Sequence, residues 1–334
     1  MSYTGARART PMGSLYRSPL GVLELDAGAE FLYGKGWYYT HTINWYTLFH
    51  KYSNGTWTTE TAYPDGDIVV PMSIRFGNKL YSGMGTRGPG GGTANASVKW
   101  FEYDIISKVW TRLADFIGDS YSFSGIAAHN NKIYIIGGNS RVTAQNLERC
   151  YVYDITTNAW SAIADYPLKI RGPVCGAYNG KIYSALGNAA SPPITGTCKK
   201  AYVYDIMTNT WSNLPDCPNI GISNTGTMIG ENFFVGDGTG SAYFYNTGWY
   251  KYNVTANAWT TLSRRVPGGS TDDTYWLEAK TSPQADGSFI CMFGYSFDGW
   301  IYYNHSDIYK YVPSTDTWTY FTFAPFATSR GLGG

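Results

Sequence analysis

The decapeptide YVYDITTNAW, Tyr151 to Trp160, returns fifty-one residues later as YVYDIMTNTW, Tyr202 to Trp211. Weaker copies flank the pair: WFEYDIISKVW ending at Trp110, WYKYNVTANAW at Trp259, DIYKYVPSTDTW at Trp318 and a shortened LFHKYSNGTW at Trp57. Successive tryptophans of these six copies stand 53, 50, 51, 48 and 59 residues apart. Five copies place a tyrosine seven positions before the tryptophan (Tyr103, Tyr153, Tyr204, Tyr252 and Tyr311), whereas Tyr52 precedes Trp57 by five. A chain of 334 residues exceeds the size at which one hydrophobic core usually stops growing. A period near fifty resolves that difficulty by spreading the core over repeated units.

Strand geometry accounts for the repeat itself. If YVYD is one strand and WSAI the next, a four-residue loop from Ile155 to Asn158 sets Tyr153 opposite Trp160. Such a cross-strand aromatic pair contributes about 0.2–1 kcal/mol. Asp154 is expected to hydrogen-bond the turn backbone and Asn158 to accept a left-handed conformation. Trp57, Trp110, Trp160, Trp211, Trp259 and Trp318 are therefore read as structural. Upstream of each hairpin lies another strand closed by glycine, as in KLYSGMG, KIYIIGG, KIYSALG and NFFVGDG, and before it a small-residue segment such as SGIAAHN or GPVCGAYN. Each unit thus reads as four short strands, a to d. Four strands at this period predict an all-β fold, a six-bladed β-propeller. The 39 glycines, 17% aromatic residues and only 15% charged residues suit short strands joined by tight turns.

Gly137-Gly138 after KIYII, together with Tyr153-Asp154 and Trp160, resembles the signature of kelch-repeat propellers, and the likeness extends over roughly residues 20–325. The double glycine is intact only in the third unit; the others keep one Gly or Gly-x-Gly. The resemblance implies a kelch-type propeller with blades at approximately 20–64, 65–117, 118–167, 168–216, 217–266 and 267–325, flanked by an N-terminal arm (1–19) and a C-terminal tail or closing strand (328–334). Two segments compete for strand a of the first unit. GVLELDAGAEFLYGKG supplies one, and APFATSRGLGG aligns its Arg330-Gly331 with Arg171-Gly172 of the fourth unit.

Charge and motif content narrow the function. A formal charge of +1 offers no field for phosphates, so neither duplex nucleic acid nor membrane insertion is expected of the propeller. Residues 1–20 lack the apolar core of a secretory signal, which leads to an expected cytoplasmic or virion location. The five cysteines show no C-x-x-C spacing and are read as reduced thiols. Kelch-type folds also carry a copper-radical galactose oxidase and a sialic-acid mutarotase, and the copper site needs two histidines and two tyrosines, one of them cross-linked to cysteine. Here His41, His50, His129 and His305 fall in differing contexts. Asp65, Asp67, Asp115, Asp119, Asp272 and Asp273 lie near a-strand connections, where a cleft could gather them. Most such acids are solvated turn residues, so no catalytic residue, metal or cofactor is assigned.

Binding is the expected activity. In an antiparallel a-b-c-d meander the b–c loops and d–a connections emerge at the same end of every blade. The b–c insertions are rich in large aromatics: Trp37, Tyr38, Tyr39 and Trp45 in the first unit, Tyr243, Phe244, Tyr245 and Trp249 in the fifth, Phe297, Trp300, Tyr302 and Tyr303 in the sixth. Tyrosine and tryptophan bury much area at little rotamer cost, which suits an interface with protein or with glycan. The N-terminal arm, with Arg7, Arg9 and Arg17 and no acid among its first eighteen residues, is expected to grip a neighbouring subunit. The charge-poor composition, rich in Gly, Thr, Asn and Tyr, is similar to that of bacteriophage tail and virion proteins, and makes a subunit of such an assembly the leading expectation, ahead of a carbohydrate-binding or carbohydrate-active propeller and a cellular interaction adaptor.

Overall fold

The computed structural model describes residues 31–323, apart from 35–36, 40–42, 46–48, 54–55, 67, 70, 88–95, 192–193, 219–220, 222–223, 239–247, 266–279, 293–294, 298–301 and 305–306. Among the described residues every regular element is a β-strand. Four separate antiparallel sheets each run a-b-c-d. The second unit uses Met72–Phe76, Lys79–Gly83, Trp100–Asp104 and Val109–Arg112. The fourth uses Val174–Tyr178, Lys181–Ala185, Ala201–Asp205 and Thr210–Asn213. The fifth uses Thr225–Ile229, Asn232–Gly236, Trp249–Asn253 and Ala258–Leu262, and the sixth Lys280–Pro283, Phe289–Met292, Asp307–Val312 and Thr317–Phe323. The third unit repeats the meander with Gly125–His129, Lys132–Ser140, Asn146–Asp154 and Ala159–Ile163, embedded in an eight-stranded sheet. In the first unit Phe31–Gly34, Phe49–Ser53 and Thr56–Glu60 form a three-stranded sheet equivalent to b, c and d. Innermost strands of units two to six lie side by side in sequence order, which makes this a β-propeller arrangement. Residues 1–30 and 324–334, which carry the arm, the tail and both claimants for the first strand a, lie outside the described residues.

The c–d hairpin adopts the register its spacing predicts. Tyr153 stands opposite Trp160 with ring centroids 5.0 Å apart. The equivalent pairs Tyr52–Trp57, Tyr103–Trp110, Tyr204–Trp211, Tyr252–Trp259 and Tyr311–Trp318 fall between 4.8 and 5.3 Å. Asp154 accepts hydrogen bonds from the backbone N–H groups of Thr156 and Thr157, and Asn158 is left-handed at φ 52°.

That asparagine does more than turn the chain. Its Oδ1 accepts from the Tyr153 hydroxyl at 2.7 Å and from the Ala114 N–H of the preceding unit at 2.9 Å, while Trp160 Nε1 donates to the Ala114 carbonyl at 3.1 Å. Ala114 of the second unit is thereby clamped through both its backbone groups by the third. The fourth unit repeats the clamp with Asn209, Tyr204 and Trp211 on Ala164, and the sixth with Asp316, Tyr311 and Trp318 on Ser263. In the fifth unit the clamped residue is Pro215, which has no N–H, so only the Trp259 bond to its carbonyl is made. The second unit has Lys108 in the asparagine's place; there Glu60 of the first unit accepts from the Tyr103 hydroxyl at 2.7 Å and pairs with the Lys108 ammonium at 3.2 Å.

The degenerate double glycine also finds its reason. Strand b ends on a left-handed residue, Met84, Gly137, Leu186 or Asp237, with φ between 50° and 67°. The next position, Gly85, Gly138, Gly187 or Gly238, has φ from 86° to 120°, beyond what side chains accept readily. At Gly138 a Cβ would also stand 2.1 Å from Ser124 Oγ. The second glycine is required and the first is replaceable.

Candidate functional site

The b–c insertions rise at the end of each blade where the d–a connections cross, and backbone pairing ties the two together. The connection strands Ile68–Val69, Tyr121–Ser122 and Ile170–Arg171 pair with the insertions of their own units at Thr86–Arg87, Asn139–Ser140 and Asn188–Ala189. Neighbouring units are joined by the same segments: Leu147 of the third pairs with Ile170 of the fourth, Gly85 N–H donates to the Tyr121 carbonyl, and Cys198 bridges Gly221. Among the described residues this belt ties together the insertions and connections of the second to fifth units.

Among the described residues three insertions form hairpins of their own. In the first unit Trp37–Tyr39 pairs with Ile43–Trp45, setting Trp37 opposite Trp45 and Tyr38 opposite Asn44. In the sixth, Tyr295–Phe297 pairs with Tyr302–Asn304, setting Phe297 opposite Tyr302 and Ser296 opposite Tyr303. The fourth unit contributes the more polar Asn188–Ser191 and Ile194–Thr197. Tyr243, Phe244, Tyr245 and Trp300, and the arginines Arg7, Arg9 and Arg17, lie outside the described residues.

Trp249 is not a rim residue. It opens strand c of the fifth unit opposite Gly236, is fully buried, and packs against Phe289 at 5.2 Å and Trp318 at 5.0 Å. Trp100 does the same opposite Gly83 in the second unit, each indole occupying the space that glycine leaves. The signal was present in the sequence, since both tryptophans stand three residues before the repeat tyrosine.

The described histidines and acids have structural partners. His50 Nδ1 lies 3.4 Å from Thr59 Oγ1, and His129 Nε2 accepts the Gly180 N–H at 3.2 Å. Asp65 is buried against Lys99 Nζ at 2.6 Å and Ser97 Oγ at 2.8 Å, Asp119 accepts from Ser140 Oγ, and Asp115 pairs with Arg112. Among the described residues no three of His, Cys, Asp and Glu are grouped to hold a metal ion. His41, His305, Asp67, Asp272 and Asp273 lie outside them.

One polar feature escaped the sequence reading. Asp237 and Arg265, both fully buried, form a two-pronged ion pair with N–O distances of 3.2 and 3.3 Å. Cys291 Sγ lies 3.8 Å from the Asp237 carboxylate, and the guanidinium sits 5.5 Å from the Tyr309 ring centroid. Burial pushes the Asp237 carboxyl above its ordinary range against the downward pull of Arg265, and burial likewise drives the Cys291 thiol well up, so that it stays protonated and able to donate.

The described units combine an antiparallel propeller arrangement with a Tyr–Trp hairpin at the c–d turn. Residues 120–165, the unit with the intact double glycine, match the Kelch motif family. The chain is similar to an F-box/kelch-repeat protein of Arabidopsis thaliana, 30% identical over 145 residues, 43% of this chain and 35% of that one. It is also similar to Kelch-like protein 25 of Xenopus tropicalis, 24% identical over 227 residues (63% and 36% of the respective chains), and to an N-acetylneuraminate epimerase of Yersinia enterocolitica, 29% identical over 139 residues (37% and 32%). The matches span about a third of the length of these curated relatives.

Proposed function

We propose that the chain is a six-bladed kelch-type propeller that binds other proteins, without catalysis, through the end bearing the b–c insertions, as a subunit of a larger assembly such as a bacteriophage tail or virion. The observation that carries the binding role is the pair of aromatic hairpins formed by the b–c insertions of the first and sixth units. Kelch-like and F-box/kelch-repeat relatives are consistent with interaction as the role of the fold. The sixfold count draws on the six described Tyr–Trp hairpins and on the contact of Tyr52 with Phe321 at 5.9 Å, which brings the first and last units together. The particle context is carried by composition and the terminal arms alone. Native mass spectrometry tests assembly: full-length protein is expected to form higher species that disappear on removal of residues 1–18 and weaken in a Trp37→Ala/Trp45→Ala variant, whereas monomers throughout would count against the subunit reading.

A carbohydrate ligand is the second reading, favoured by the epimerase relative named for its sugar and by the aromatic hairpins, whose ring faces suit sugar stacking. A glycan array decides it, the expected result being binding that is lost in Trp37→Ala and Phe297→Ala.

A further inference from the structure

In the second and fourth units the left-handed residue at the end of strand b belongs to the same apolar cluster as a residue of the d–a connection. Met84 and Phe116 share one apolar cluster in the second unit, Leu186 and Cys217 another in the fourth. Phe116, Cys217 and Arg265 each stand six residues beyond the repeat tryptophan, so Asp237 and Arg265 occupy the places of an apolar pair. The substitution joins two units. Asp237 belongs to the fifth, whereas Cys291 and Tyr309 lie on strands b and c of the sixth, four residues before Tyr295 and five after Asn304. The ion pair therefore touches both stems from which the sixth unit's aromatic hairpin rises.

Apolar contacts are non-directional and tolerate sliding between sheets, but a two-pronged carboxylate–guanidinium pair fixes angle as well as distance. Burying such a pair adds little net stability over an apolar pair of similar volume, so its use where the second and fourth units have apolar residues calls for a role in geometry. We infer that Asp237 and Arg265 are positioning residues that set the Tyr295–Asn304 hairpin at a defined angle to the fifth unit. The inference rests on the reading of that hairpin as part of a binding surface. Exchanging the pair for that of the fourth unit, Asp237→Leu/Arg265→Cys, tests it by amide hydrogen exchange on the full chain. Expected are a melting temperature within a few degrees of the parent, exchange at least tenfold faster in residues 295–304, and no change in the Trp37–Trp45 hairpin. Unchanged exchange in 295–304 would overturn the inference. Should the double variant not fold, Asp237→Asn keeps shape and left-handed tolerance while removing the charge, and is expected to speed exchange in the same hairpin at least threefold; no change there would again refute the role. Because no partner enters the measurement, its outcome is independent of the assembly test above.

Discussion

Asn209 shows how much one repeat residue carries. It sits at φ 55°, accepts from the Tyr204 hydroxyl at 2.8 Å and accepts the Ala164 N–H at 2.8 Å. Asn209→Ala loses two hydrogen bonds and places a β-carbon in a left-handed conformation, for an expected loss of about 2–3 kcal/mol. Asn209→Asp should cost less than about 1 kcal/mol, because Asp316 already performs the same task in the sixth unit. Urea unfolding of the two variants checks the contrast. Turn carboxylates give a pH dependence. The Lys181 ammonium and the Thr208 and Met207 N–H groups hold Asp205 down to about 2, and Lys310 with Ser288 does the same for Asp286. Both folded values lie below the ordinary 3.8, so the stability they lend is complete above pH 4 and lost as pH falls through 2. Melting temperature should fall between pH 4 and pH 2, and less steeply in Asp205→Asn/Asp286→Asn. At this scale the turn residues were legible because their conformations are local. Trp249 reads as a rim residue despite its spacing from Tyr252, because that spacing gains its meaning only from the glycine on the strand opposite, which leaves room for the indole.

Within single elements, the strand pattern and the Tyr–Trp register follow from period and spacing, whereas the belt of connection strands does not. Its pairs join Leu147 to Ile170 and Cys198 to Gly221 across unit boundaries, and nothing in the spacing of short polar segments marks them as partners. The strand b terminus is similar: its glycine was evident, but the pairing of Asp237 with Arg265, twenty-eight residues away, was not. Removing one member of that pair should be far worse than removing both. Arg265→Met leaves a buried carboxylate alone and is expected to cost about 3–5 kcal/mol, while Asp237→Met/Arg265→Phe, the pair of the second unit, should recover most of that loss. Trp249→Ala opens a cavity between the fifth and sixth units and is expected to cost about 3–5 kcal/mol. Denaturant midpoints of the four proteins, parent included, measure both effects, and the cost of Trp249→Ala makes it unsuitable as a probe of binding.

Across the whole molecule, the question is closure. Units two to six are clamped one to the next through the repeat tryptophan, and the first meets the sixth through Tyr52 and Phe321. If that contact closes a ring, Phe321→Ala should speed amide exchange in both Thr317–Phe323 and Phe49–Ser53, whereas in an open arc only the first strand would respond. The sequence by itself determined the all-β architecture, the period, the hairpin register and the end of each unit from which the long insertions rise, because these depend on residues within about a dozen positions of one another. Only the tertiary structure decided which aromatic was core, which connection paired with which insertion, and where a buried charge found its opposite. Those outcomes arise where one twisted sheet meets the next, and the residues that meet there are brought together by the stacking of units, which local spacing does not encode.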